Sequence, residues 1–172
     1  EHGKYTGTFR AAWYEKNGNG TESVHFIFVS DGGQEAGPLS LYTHNGAGEE
    51  LPSNNTLHAI LACMKVRGIK AQNGVVKLWD RDAQAEVDRQ KEVYPALTGP
   101  RIGLVLIEEE YTDRNGELRT KLIIGAPFVA ETGQMADEVL ASAPAAALDR
   151  YIGWLDKSGR WIKRLKNAGR AV

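Results

Sequence analysis

A chain of 172 residues, 42% of them hydrophobic and 25% charged, suits one globular domain with appendages and is neither disordered nor fibrous in composition. No apolar run approaches the roughly 20 residues that span a bilayer, so no membrane segment is expected. The formal net charge of −1 singles out no partner class, and the single cysteine, Cys63, leaves no internal disulfide and points to a reducing compartment. The chain begins at Glu1 without Met, and no secretory signal is legible. Charge is unevenly spread. From Asp156 onward six basic residues (Lys157, Arg160, Lys163, Arg164, Lys166, Arg170) stand against one acidic, which predicts a basic terminal segment on a body about six charges negative.

Lys4 to Glu15 alternates, with Tyr5, Gly7, Phe9, Ala11 and Trp13 on one parity and Thr6, Thr8, Arg10, Ala12 and Tyr14 on the other, which predicts a half-buried strand. Asn17-Gly18-Asn19-Gly20 supplies turn chemistry, and Thr21 to Ser30 returns as a strand with Val24, Phe26 and Phe28 facing in. After Asp31-Gly32-Gly33 a third strand runs from Pro38 to His44, with Leu39 and Leu41 inward and Ser40 and Tyr42 outward. Ser53 or Asn54 caps an expected helix carrying Leu57, Ile60, Leu61 and Met64 at helical spacing and ending at Gly68.

Gly74 to Trp79 reads as a short strand, and the highly charged stretch from Asp80 to Glu92 as helix or loop. A long hairpin follows. Arg101 to Thr112 is rich in β-branched and apolar residues, Asp113-Arg114-Asn115-Gly116 makes the turn, and Glu117 to Val129 returns. Leu122-Ile123-Ile124 is apolar at consecutive positions, so both faces are expected to be covered there. Gln134 to Leu155 is helical in pattern, with a break at Pro144.

Three meander strands, a helix and two more strands give the expected fold class: mainly β, a five-stranded antiparallel barrel of the oligonucleotide-binding (OB) type with its helix between strands three and four. Residues 1–133 form the barrel, and 134–172 a C-terminal helical segment packed on it or extending from it.

The opening Gly-x-Phe strand (Gly7, Phe9), the Gly-rich hairpin, the helix before the middle, and Leu97-x-Gly99 leading into a long hairpin with Tyr111 and Asn115-Gly116 together resemble the phage-type single-stranded DNA-binding proteins. The resemblance runs from Lys4 to about Val129. It implies sequence-independent coating of single-stranded DNA in the host cytoplasm during DNA replication or recombination, alongside proteins of those processes and with no cofactor or metal. Such binding needs aromatic platforms for bases and basic side chains for phosphates. The candidates are Arg10 and Tyr14 on one face of the first strand, Tyr42 on the third, and Lys77 and Trp79 on the short strand. Tyr111, Arg119 and Lys121 lie on the final hairpin, and Arg67 and Lys70, with Lys65, follow the helix.

Two features oppose this reading: the acidic body, and Glu108-Glu109-Glu110, which would repel phosphate. Family members often end in an acidic tail, and this chain ends in basic residues. Enzymatic activity is not expected. Asp80, Asp82 and Glu108 to Glu110 have no fixed metal-binding spacing, His58 and Cys63 stand five apart on one helix, and no P-loop, dinucleotide fingerprint or nucleophile elbow is present. The alternative is a protein-binding barrel, such as a phage-encoded inhibitor or assembly factor, because barrels of this kind host many functions.

Overall fold

The computed structural model describes residues 1–165, and Lys166 and Arg170 of the basic segment lie outside the described residues. Strands β1 (Gly3–Lys16), β2 (Glu22–Ser30) and β3 (Glu35–His44) form the antiparallel meander. Its first turn is held by the Asn17 side-chain oxygen, which accepts from the backbone N–H groups of Asn19 and Thr21. Val24, Phe26, Phe28, Leu39 and Leu41 are buried as their alternation demands, and Tyr42 faces solvent.

β1 departs from strict alternation. A bulge between Phe9 and Ala11 inserts one residue, Arg10, and reverses the facing of everything after it. Phe9 and Ala12 consequently enter the main core, and Ala11 and Trp13 enter a second one on the opposite face. Arg10 and Tyr14 therefore do not share a face: Tyr14 packs against the main core, while Arg10 lies beside Val75 and Val76.

Helix α1 (Ser53–Met64) closes the main core by inserting Leu57, Ile60, Cys63 and Met64 among Phe9, Phe26, Leu39, Ile102 and Leu104. The helix starts without a side-chain cap, with Pro52 at its N-cap position. It stops at Lys65, whose left-handed backbone (φ 58°) returns its N–H to Ala62, and so ends before Gly68.

The Asp80 to Glu92 stretch is neither helix nor loop. β4 (Gln72–Asp80) turns at residues 81–84 and pairs along its length with β5 (Ala85–Val93). β5 carries only Val87 and Val93 as large apolar residues, too few for its period of two to be legible. The ladder between the strands and the packing of Val76, Leu78 and Val93 on Ala11, Trp13 and Ile27 supply what side-chain pattern does not. This hairpin joins the sheet at its base, where Val93 and Glu92 pair with Trp13 and Tyr14.

The long hairpin forms as expected, from β6 (Arg101–Thr112) and β7 (Leu118–Phe128), after a 3-10 turn (Pro95–Leu97) that buries Leu97. The first half of β1, Gly3 to Thr8, pairs with β6. Gly103 is required where it stands, because a Cβ there would lie 2.1 Å from the Phe128 ring.

The resulting architecture is mainly β with flanking helices, but the sheet is not closed into a barrel. β3 and β7 approach one another without a hydrogen-bonded ladder, and the inserted β4–β5 hairpin raises the strand number above the five expected. Pro38 on β3 lacks an N–H to give and suits an edge strand.

Beyond the sheet, the helical pattern resolves into α2 (Ala136–Ala141) and α3 (Ala147–Ser158), separated around Pro144. Glu138 ties them together, its carboxylate accepting from the backbone N–H groups of Met135, Ala146 and Ala147, which hold its pKa below the usual carboxylate range. α3 packs Leu148 and Leu155 on Val105 and Phe128, the outer face of β6 and β7. A two-residue strand, β8 (Ile162–Lys163), then lies parallel to β6 at Glu108 and Glu109. Among the described residues no helix is long and apolar enough to cross a membrane.

Candidate nucleic-acid interface

The two long hairpins leave β1 in different registers, yet their tips come together. Between them lies an open cleft of about 1070 Å³, lined by Arg81 and Asp82 from the β4–β5 turn and by Tyr111, Thr112, Asp113, Arg114, Asn115 and Arg119 from the β6–β7 tip. Three guanidinium groups and one aromatic ring thus share a single concavity with two aspartates.

The β6–β7 wall is built by its turn. Asp113 accepts from the backbone N–H groups of Asn115 and Glu117 and from Arg119 Nε at 2.5 Å, and the Arg119 bond and these amides hold its carboxyl below the usual range. Gly116 takes φ 78°, which closes the turn. Arg119 stands directly across the ladder from Tyr111, and Lys121 across from Glu109. Those four side chains occupy one face. The Lys121 ammonium lies 5.4 Å from the centre of the Tyr111 ring and 3.7 Å from Glu109.

The opposite wall is stiffened in the same manner. Asp80 accepts from the backbone N–H groups of Ala83 and Asp82 and pairs with Arg89; the two amides first, and then Arg89, keep its pKa low. Asp113 and Asp80 are therefore turn-building groups, whereas the carboxylate of Asp82, which also lines the cleft, has no side-chain partner among the described residues. Arg81 and Arg114 have no carboxylate within salt-bridge distance among the described residues, whereas Arg119 divides itself between Asp113 and Glu117. The Arg119 side chain itself is 55% exposed, so a phosphate can reach it and compete for it.

The structure thus brings Tyr111 and Arg119 into one cleft with Lys121 beside it. Lys77 and Trp79 do share a face, as expected: with Val75 they point away from the buried Val76 and half-buried Leu78, and Trp79 is 63% exposed. They lie outside the cleft lining, on the outer surface of the arm whose tip forms one wall.

Other candidates are already engaged. Arg10 makes two bonds to the Glu35 carboxylate at 3.1 Å and a third to the Lys77 carbonyl. The Tyr14 hydroxyl donates to Glu22 at 2.6 Å; that bond, with burial, pushes its pKa up to about 12. Tyr42 stands alone on the outer face of β3, and Arg67 and Lys70 are exposed between α1 and β4, apart from the cleft lining.

Sequence reasoning missed Arg81 and Arg114. Arg114 was legible only as part of a turn, and Arg81 sits in the stretch read as helix or loop. The available signal was Asp80-Arg81-Asp82 at the close of a strand, which is turn chemistry with a cation in it.

The repelling strip, Glu108 to Glu110, is fully accompanied. Glu108 bonds His2 Nδ1 at 2.6 Å, Glu109 lies 3.3 Å from Lys163 as well as 3.7 Å from Lys121, and Glu110 lies 3.7 Å from Arg164. Among the described residues no group of three or more His, Cys, Asp or Glu side chains is arranged to hold a metal ion. Neither protein-family models nor curated proteins give a match to this chain.

Proposed function

We propose that this protein binds single-stranded DNA without marked sequence preference. The observation that carries the reading is the cleft in which Arg81, Arg114 and Arg119 surround Tyr111. A base stacked on an aromatic side chain contributes about 1–3 kcal/mol, more than the ~0.5–1 kcal/mol of an exposed cation over the same ring, so stacking on Tyr111 outweighs its contact with Lys121. The three arginines and Lys121 then follow the phosphates, with the fork geometry of arginine suited to phosphate oxygens.

The order β3-β2-β1-β6-β7, with α1 between the third strand and the final hairpin, agrees with an OB-like ancestry elaborated by the β4–β5 arm. On that reading the chain belongs to phage DNA replication or recombination, with the body acting as a strand-protecting surface rather than an enzyme.

The test is a titration of labelled poly-dT and of a matching duplex, followed by fluorescence anisotropy at low and at physiological salt. Tight single-strand binding that weakens with salt, with a log–log slope near −3 for about four neutralised phosphates, supports the reading. Absence of single-strand binding at low salt overturns it and leaves the cleft to a protein partner.

A further inference from the structure

The acidic strip and the basic C-terminal segment, each of which argues against a DNA surface when taken alone, meet on one strand. β8 runs parallel to β6 so that Ile162 and Lys163 lie beside Glu108 and Glu109, and the Glu108 N–H donates to the Trp161 carbonyl at 2.9 Å. Trp161 anchors the segment. Its ring stacks on His2 at 5.2 Å and packs against the third core, and its Nε1–H donates to Asp156 at 2.8 Å.

Beyond that anchor, Lys163 and Arg164 project onto Glu109 and Glu110. Glu110 is the more demanding of the two. Its side chain is only 5% exposed, and its Oε1 has no hydrogen-bond partner among the described residues, so the Arg164 guanidinium answers a carboxylate shielded from water. Glu109 shares its charge between Lys163 and Lys121, and Lys121 is the ammonium that lies over Tyr111 at the cleft.

We infer that β8 is a positioning segment for the single-strand site: Lys163 discharges Glu109 on the face that carries Tyr111, which removes repulsion there and releases Lys121 from Glu109 for phosphate, while Arg164 holds β8 in place through Glu110 on the opposite face. The inference rests on the single-strand reading of the cleft. It assigns Lys163 and Arg164 an indirect part, in which they act on the strip and not on the nucleic acid.

A double-mutant cycle on the full chain tests it with the same poly-dT titration. K163Q/R164Q should bind about fivefold more weakly than the parent at low salt, with the difference closing as salt is raised. E109Q/E110Q introduced into that variant should restore parental affinity, and in the E109Q/E110Q background the loss of both cations should have little effect. Thermal melting accompanies each titration, and if K163Q/R164Q fails to fold, the single pairs K163Q with E109Q and R164Q with E110Q run the same cycle.

A loss of affinity that the glutamine substitutions do not rescue shows direct phosphate contact and overturns the inference. Unchanged affinity in K163Q/R164Q overturns it as well. Absence of binding by the parent chain overturns the single-strand reading itself, and the role of β8 with it.

Discussion

Tyr111 and Arg119 face one another across a ladder, and their chemistry separates what stacking and charge each contribute. Tyr111→Ala is expected to weaken single-strand binding by about tenfold or more at all salt concentrations, whereas Arg119→Ala should lower affinity chiefly at low salt and flatten the salt dependence. Both side chains lie at a hairpin tip, so melting temperatures should stay close to the parent; unchanged affinity in both variants removes this face from the site.

His25 provides a residue-scale test of stability. Its ring is held between the hydroxyls of Ser23 and Ser40 at 2.8 and 2.7 Å and stacks on Trp13. Burial pushes its pKa below 6.5; Glu15, 3.2 Å away, pulls it up, and the Lys91 charge pushes it down. The unfolded chain therefore takes up this proton at higher pH than the folded one. Its contribution is complete above about pH 6.5 and is lost as pH falls from there through the folded value. Urea unfolding at pH 7.5 and 5.5 should show the decline, and His25→Gln should flatten it.

At the scale of elements, the two arms line the cleft together and neither lines it alone. Arg81 and Arg114 sit on opposing tips, so Arg81→Ala and Arg114→Ala should each reduce the magnitude of the single-strand salt slope by about 0.7, and the double variant by the sum of the two. A slope moved by only one of them would mean that the strand follows a single arm. The β6–β7 arm was legible in the sequence because its apolar run and Asn115-Gly116 turn agree about one structure. Of the β4–β5 arm only the strand from Gly74 to Trp79 was legible, because β5 is almost wholly polar and owes its pairing to β4 and to Trp13. The bulge at Arg10 was equally invisible: alternation was read straight through it, and only the pairing of Phe9 with Phe28 and Ala11 with Ile27 exposes the extra residue. Arg81 was missed for the same reason, since it belongs to the arm whose pattern is carried by the backbone.

In the whole molecule, three cores divide the work. The main one sits between the sheet and α1, with Ile60 fully buried at its centre, so Ile60→Ala should cost about 2–5 kcal/mol and lower the urea midpoint without a matching loss of DNA affinity in the folded protein. The second core clamps the β4–β5 arm to β1 and the third clamps α3 to β6 and β7, which is how satellite elements keep the arms oriented. The shared strand β1 also sets a timetable. During synthesis β1, β2 and β3 can pair as soon as His44 has emerged, but Phe9, Phe26, Phe28, Leu39 and Leu41 then form a bare apolar face. α1 covers part of it soon afterwards, and the rest waits until Ile102, Leu104 and Leu106 have been made and have joined β1 along its free edge. A nascent chain halted between β3 and α1 bares the whole of that face to chaperones and to aggregation, and one halted before β6 still bares the part that α1 leaves.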